Sequence, residues 1–246
     1  MVCMAAWLAG CLPPPDVGQW PTTGAGDGVV LLIHGAGEGE DTGVWADGMA
    51  ADIRLAINAS DDDDDDGRVW HVLAWDWYAR SRSRELAPGA ATDEGRAIGA
   101  QILAGQATHV HIVAHSAGAG VAQAALQTMA DADSSNADGV TVTTHATLLD
   151  PFALFGDTDC SQATFCDLWF NDDDGTPGSD AAITSAFNIN ISETRPAAED
   201  DRGHWWPTIA YGDSVRRRSV PGFGMAVEAG GDVVGLHDFF PRGRGR

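Results

Sequence analysis

The chain has 246 residues, 44% of them hydrophobic, which is enough for one substantial core. Lys and Arg number 14 against 36 Asp and Glu, a net charge of −22. That balance excludes nucleic acid as a partner, because phosphate binding needs a basic surface.

The N-terminus reads MVCMAAWLAGCLPPPD. Leu8-Ala9-Gly10-Cys11 resembles a bacterial lipobox, in which a cysteine after a small residue is cleaved and lipidated. Pro13, Pro14 and Pro15 would form a stiff spacer behind it. Only ten residues precede Cys11 and none is basic, so an apolar, unstructured N-terminus is the alternative. On the first reading the protein is exported and lipid-anchored through Cys11, or secreted. No other stretch has the length of a membrane span.

Val29 to Ile33 is a β-branched, continuously apolar run, the pattern of a strand buried on both faces of a parallel sheet. Trp45, Met49, Ile53 and Ile57 recur at helical spacing and predict a helix over 44–57. The six aspartates from Asp61 to Asp66 start like a calcium loop, but the position that needs glutamate holds Leu73, so a solvated loop is the reading. The segment 69–75 reads as a second strand. The acidic start at Thr92-Asp93-Glu94 predicts the beginning of the next helix. Further strands are predicted at 110–114, 140–149 and 186–191, with a helix over 118–130 between the first two. Alternating strands and helices imply an α/β fold with a mostly parallel sheet flanked by helices.

Four late features concern loops and surface. Cys160 and Cys166 lie six apart in a polar segment and would close a local disulfide in an exported protein. The segment 152–180 reads either as a cap, with Phe152, Leu154, Phe155, Phe165, Leu168, Trp169 and Phe170 lining an acyl pocket, or as a satellite core. Asn171 to Gly175 is an incomplete calcium pattern and reads as solvated, and Arg216-Arg217-Arg218 as a surface ion-pair region. No CxxC or Cys/His cluster suggests a metal site.

The chemistry centres on Ala114-His115-Ser116-Ala117-Gly118, placed where an apolar strand gives way to a helix. A serine flanked by small residues at a sharp strand-to-helix turn is the form of a nucleophile elbow, here with Ala114 in place of the first glycine. Asp150 ends a later strand in Leu148-Leu149-Asp150-Pro151, where a carboxylate can orient a histidine, or where Asp-Pro merely stops the strand. Of eight histidines, His71, His109, His111, His115 and His145 fall on or beside strands and read as structural, and His34 as a turn residue. His204 and His237 follow the acid in sequence. The loop position of His204 favours it as the base.

In this order VVLLIHGAG, WDW, VHIVAHSAGAGVAQAAL, LLDPF, FNINIS and GHWWPTIAY resemble the lipase-type α/β-hydrolases, the pancreatic lipase group and its bacterial secreted relatives. The resemblance implies Ser116 as nucleophile, Asp150 as acid and His204 as base, with the Ala36 and Ala117 amides as oxyanion donors. It implies a hydrolase domain over 21–246 behind a leader and spacer over 1–20. The implied activity is hydrolysis of small-molecule or lipid carboxylic esters, without metal or organic cofactor. The rival readings are a catalytically inactive hydrolase fold that binds ligands at the cell surface, and an amidase or peptidase on the same fold.

Overall fold

The computed structural model describes residues 14–37, 44–58, 68–82, 87–135, 141–152, 158–173, 181–217, 225–227 and 236–238. Cys11, the whole aspartate run from Asp61 to Asp66, Leu154, Phe155 and Arg218 lie outside these residues.

Six strands form one sheet in the order β2-β1-β3-β4-β5-β6. They are β1 (Gly28–Ile33), β2 (Trp70–Trp75), β3 (His109–His115), β4 (Thr143–Leu149), β5 (Phe165–Phe170) and β6 (Phe187–Asn190). Every pairing among them is parallel. The expected α/β class, a parallel sheet flanked by helices, is the observed one. Helix α1 (Val44–Asn58) follows β1, and a short turn α2 (Tyr78–Ser81) and α3 (Ala87–Ala104) follow β2. Helix α4 (Gly118–Ser135) follows β3, and α5 (Trp206–Arg217) follows β6. A separate antiparallel pair, β7 (Met225–Val227) and β8 (Leu236–Asp238), sets His237 opposite Ala226.

Strand β1 shows why the sheet sits in the middle. All six of its residues are buried. Val29, Leu31 and Ile33 pack with α3 and α4, whereas Val30 and Leu32 pack with α1 and α5. Each such side chain contributes about 1.5–3 kcal/mol on leaving water. The period of two in a strand forces this division, so one apolar run serves both layers.

Three sequence expectations need correction. Helix α3 begins at Ala87 rather than near Thr92. Pro88 sits in its first turn, where a missing N–H costs nothing. Glu94 therefore lies deeper in the helix and is buried. It accepts the Trp75 indole N–H at 2.7 Å and pairs with Arg80 at 3.1 Å, and burial pushes its carboxyl above the ordinary range. Second, part of the presumed cap is strand β5. Leu168 and Phe170 face the α3–α4 side and Trp169 the α1–α5 side, so they are core residues and do not line a pocket. Third, Asn171 is fully buried, although Asp172 and Asp173 after it are exposed. A disulfide joins Cys160, in the turn before β5, to Cys166 within that strand. Arg216 pairs with Asp52 and Asp213 on the surface.

The α1–α5 face carries a buried polar cluster. The Asp167 carboxylate accepts hydrogen bonds from Thr147 Oγ1 at 2.9 Å, from the Trp169 indole at 2.7 Å and from His145 Nε2. Thr147 Oγ1 has donated its proton, so it accepts from His111 Nε2 at 2.9 Å. The His111 and His145 rings stack with centroids 4.1 Å apart. A carboxylate in such a position persists because its lone pairs are filled by donors.

Burial, then the charge of His145, hold the His111 imidazole well below the ordinary histidine range. The folded ring is neutral, whereas the unfolded ring takes up a proton near pH 6.5. Its contribution to stability is therefore complete above about pH 6.5 and is lost as the pH falls below that value. Urea unfolding at pH 7 and pH 5 will show a smaller acid-induced loss of unfolding free energy in His111→Leu than in the wild type. Equal losses would mean that this ring does not govern the slope.

Candidate active site

Parallel register brings the strand ends to one edge. Ile33 pairs with Ala114, and His115 with Leu149, which in turn pairs with Trp169. The residues just beyond the ends of β1, β3, β4 and β5, namely His34, Ser116, Asp150 and Asn171, share the carboxyl edge of the sheet, where open α/β sheets build their sites.

Ser116 has φ 54° and Asp150 has φ 46°. Both occupy the left-handed region, which costs a non-glycine residue about 1–3 kcal/mol and persists only where surroundings impose it. Here the two turns hold each other. The Ser116 amide donates to the Leu149 carbonyl at 3.1 Å, and the Phe152 amide donates to the Ser116 carbonyl at 3.1 Å. The Asp150 amide donates to the Trp169 carbonyl at 2.8 Å. The start of α4 lies directly behind Ser116, so its N-terminal amides favour negative charge there.

The small residues around Ser116 answer to close backbone approach. A Cβ on Gly118 would stand 2.6 Å from the Ile33 carbonyl oxygen and 2.8 Å from that of His34. A Cβ on Gly35 would stand 2.7 Å from the Ser116 Cβ. The β1 end and the serine turn are thus packed backbone to backbone.

Asp150 is completely buried, and His204 Nδ1 donates to its Oδ2 at 2.6 Å. The Asn171 amide reaches Asp150 Oδ1 at 3.4 Å. His204 is not in an irregular loop, as expected from the sequence, but near the end of a 3-10 segment (Ala197–Trp205) that leads into α5. Its carbonyl accepts from His115 Nε2 at 2.8 Å, and its ring lies 4.7 Å from that of His115. His115 immediately precedes Ser116, so His204 is tied to the residue next to the serine. His237 lies on β8 and its side chain is outside the described residues.

Ala36 follows the close approach of Gly35, and Ala117 is buried behind the serine. Among the described residues neither amide donates to a protein acceptor. His34 is a turn residue with a defined task. Its Nδ1–H donates to the Gly35 carbonyl at 2.8 Å, and its own carbonyl accepts the Trp77 indole at 2.7 Å. The Gly35 carbonyl and the Ala36 N–H belong to one trans peptide and point opposite ways, so fixing one aims the other. Burial holds the His34 ring below its ordinary pKa, consistent with a neutral imidazole.

The remaining strand histidines stay out of this edge. His71 pairs with Asp27 at 2.9 Å, and His109 packs edge-on to Trp70. Among the described residues no group of three or more His, Cys, Asp or Glu side chains is placed to hold a metal ion. No described helix is long and apolar enough to cross a membrane. A cleft of about 290 Å³ opens beside His34, lined by Asp47, Asp76 and Tyr78 among others.

An all-parallel sheet with a left-handed serine after β3 and a carboxylate after β4 is the α/β-hydrolase arrangement. No protein-family model matches the chain, and no curated protein matches it in sequence. Among solved structures it is similar to a Trichoderma reesei cutinase in complex with a C11Y4 phosphonate inhibitor. The identity is 14% and the TM-score 0.39, over 87% of this chain and 80% of that one.

The sequence pattern did not reveal Asn171 or the contact of His115 with His204. Asn171 continues the alternation Asp167, Trp169, Asn171, and that periodicity was the available signal.

The crowding at Gly118 gives a prediction of sign. Alanine normally stabilises a helix position by up to about 1 kcal/mol over glycine. Gly118→Ala will instead destabilise by roughly 1–3 kcal/mol, the usual range for overpacking. Gly48→Ala in α1, where a Cβ meets nothing within 4 Å, will stabilise. Urea midpoints of the two variants moving in the same direction would contradict the close approach.

Proposed function

We propose that this protein is a serine hydrolase of carboxylic esters. The observation that carries the proposal is the hydrogen bond between His204 and buried Asp150, two residues 54 apart in sequence, beside a left-handed Ser116. An imidazole with Nδ1–H committed to a carboxylate leaves Nε2 as the base.

His204 Nε2 takes the proton from Ser116 Oγ as that oxygen attacks the ester carbonyl. The Ala36 and Ala117 amides receive the oxyanion, a contribution of about 3–4 kcal/mol per donor in comparable sites. Asp150 stabilises the imidazolium, which then gives its proton to the departing alcohol. Water, deprotonated by His204, attacks the acyl-serine, and His204 returns that proton to Ser116 Oγ as the acid leaves. No step calls on a metal or an organic cofactor.

The side chains once read as an acyl-pocket lining are largely committed to the core through β5, which favours small-molecule esters over long-chain lipids. The Cys160–Cys166 disulfide supports export to an oxidising compartment. Anchoring through Cys11 belongs to the same proposal.

A fluorophosphonate probe will label the wild type and leave Ser116→Ala unlabelled. Short p-nitrophenyl esters will be hydrolysed, with turnover reduced at least about a thousandfold in Ser116→Ala and His204→Gln. Labelling that persists in Ser116→Ala would refute the nucleophile. A wild type that neither reacts nor turns over esters would point to the inactive, ligand-binding alternative, and turnover of amides above esters to an amidase.

A further inference from the structure

We infer that His115 and Asn171 form a backbone clamp that positions His204. The inference rests on the hydrolase reading for its kinetic consequence, but not for its geometry. Two side chains, from the ends of β3 and β5, hold the two carbonyls on either side of the His204 amide–Cα unit. Asn171 Nδ2 donates to the Gly203 carbonyl, and His115 Nε2 donates to the His204 carbonyl at 2.8 Å. Asn171 is fully buried and His115 is 1% exposed, so neither bond competes with bulk water.

The physical force of this arrangement comes from peptide planarity. The Gly203 carbonyl shares a plane with the His204 N–H, and the His204 carbonyl shares a plane with the Trp205 N–H. Anchoring both carbonyls fixes the two planes that meet at the His204 Cα, and thereby its φ and ψ. The direction of the Cα–Cβ bond follows. The Asp150 bond to Nδ1 then fixes the ring. The base is held at three points by groups from three strand ends.

The clamp has a second anchor on the acid. The Asn171 backbone amide reaches Asp150 Oδ1, while its side chain holds Gly203. One residue therefore sets the distance between the acid and the segment that bears the base. His115 adds a ring contact, with centroids 4.7 Å from both His204 and Trp205. This is a role for the residue before the serine that the turn itself does not require. A carbonyl only accepts, so the clamp demands a proton on His115 Nε2. Both are positioning residues and touch no reacting atom.

The test separates positioning from packing. His115→Phe keeps a ring against His204 and Trp205 but removes the donor, and His115→Gln restores a donor near the Nε2 position. Asn171→Leu keeps volume and removes the amide. On a short p-nitrophenyl ester, His115→Phe and Asn171→Leu will each lower kcat by roughly ten- to hundredfold, the scale of a displacement of about 1 Å at a catalytic group. KM will change little, and His115→Gln will recover most of the loss. The double variant will lose less than the product of the single losses, because both bonds restrain one segment.

Ring-nitrogen NMR of 15N-histidine protein, assigned through His204→Gln, reads the clamp without activity. Wild-type His115 will be the Nε2–H tautomer, and the His204 Nδ1 proton will exchange with solvent faster in His115→Phe and Asn171→Leu. A wild-type His115 protonated only at Nδ1 overturns the clamp, even if the variants fail to fold. So do folded variants that keep both wild-type kcat and slow His204 exchange. An inactive wild type with Nε2–H at His115 and slow His204 exchange would refute the hydrolase reading and leave the clamp standing.

Discussion

The end of the first strand and the serine turn run so close together that neither Gly35 nor Gly118 has space for a side chain. Much of the carboxyl edge depends on that contact. Beside it the Ser116 backbone is left-handed, held by hydrogen bonds to Leu149 and Phe152. The same contact brings the Gly35–Ala36 peptide beside the serine. A bulkier residue at either glycine would have to move main chain, since the nearest atoms include backbone carbonyls and the serine itself.

Asp167 and Glu94 are each buried together with several partners. Asp167 gathers donors from Thr147, Trp169 and His145, and Thr147 passes the chain on to His111. Glu94 does the same with Trp75 and Arg80 on the other layer. Each carboxylate costs several kcal/mol to desolvate, and that cost is offset only while its partners stay in place. Strand β5 belongs to both regimes. Its inner residues complete the Asp167 cluster, and Asn171 just beyond its end reaches the edge where Asp150 and His204 meet.

Much of the fold was legible because apolar runs and helical spacing report burial directly. Strand β1 and helix α1 lie close to where their patterns place them. The serine and acid were legible for a related reason, since a small-residue turn and an Asp-Pro strand end are local signals. Strand β5 was hidden because Asp167 interrupts its apolar pattern with a charge whose partners are distant in sequence. The start of α3 was hidden because the acidic pair at 93–94 looks like a helix terminus, whereas Glu94 serves a tertiary contact. Asn171 was obscured by the exposed aspartates behind it. The contact of His115 with His204 joins residues 89 apart and has no local signature.

The serine and the acid differ from the histidine in how their places are specified. Ser116 and Asp150 are addressed by the sheet, since register and a left-handed turn set where each side chain leaves the backbone. His204 arrives on a 3-10 segment outside the sheet and is addressed by side chains. A lineage that keeps the fold keeps the positions of this first half of the site, though not the residues on them, since glycine fits a left-handed turn with less strain. The second half has to be maintained residue by residue, and it is where descendants of such a chain would first drift apart.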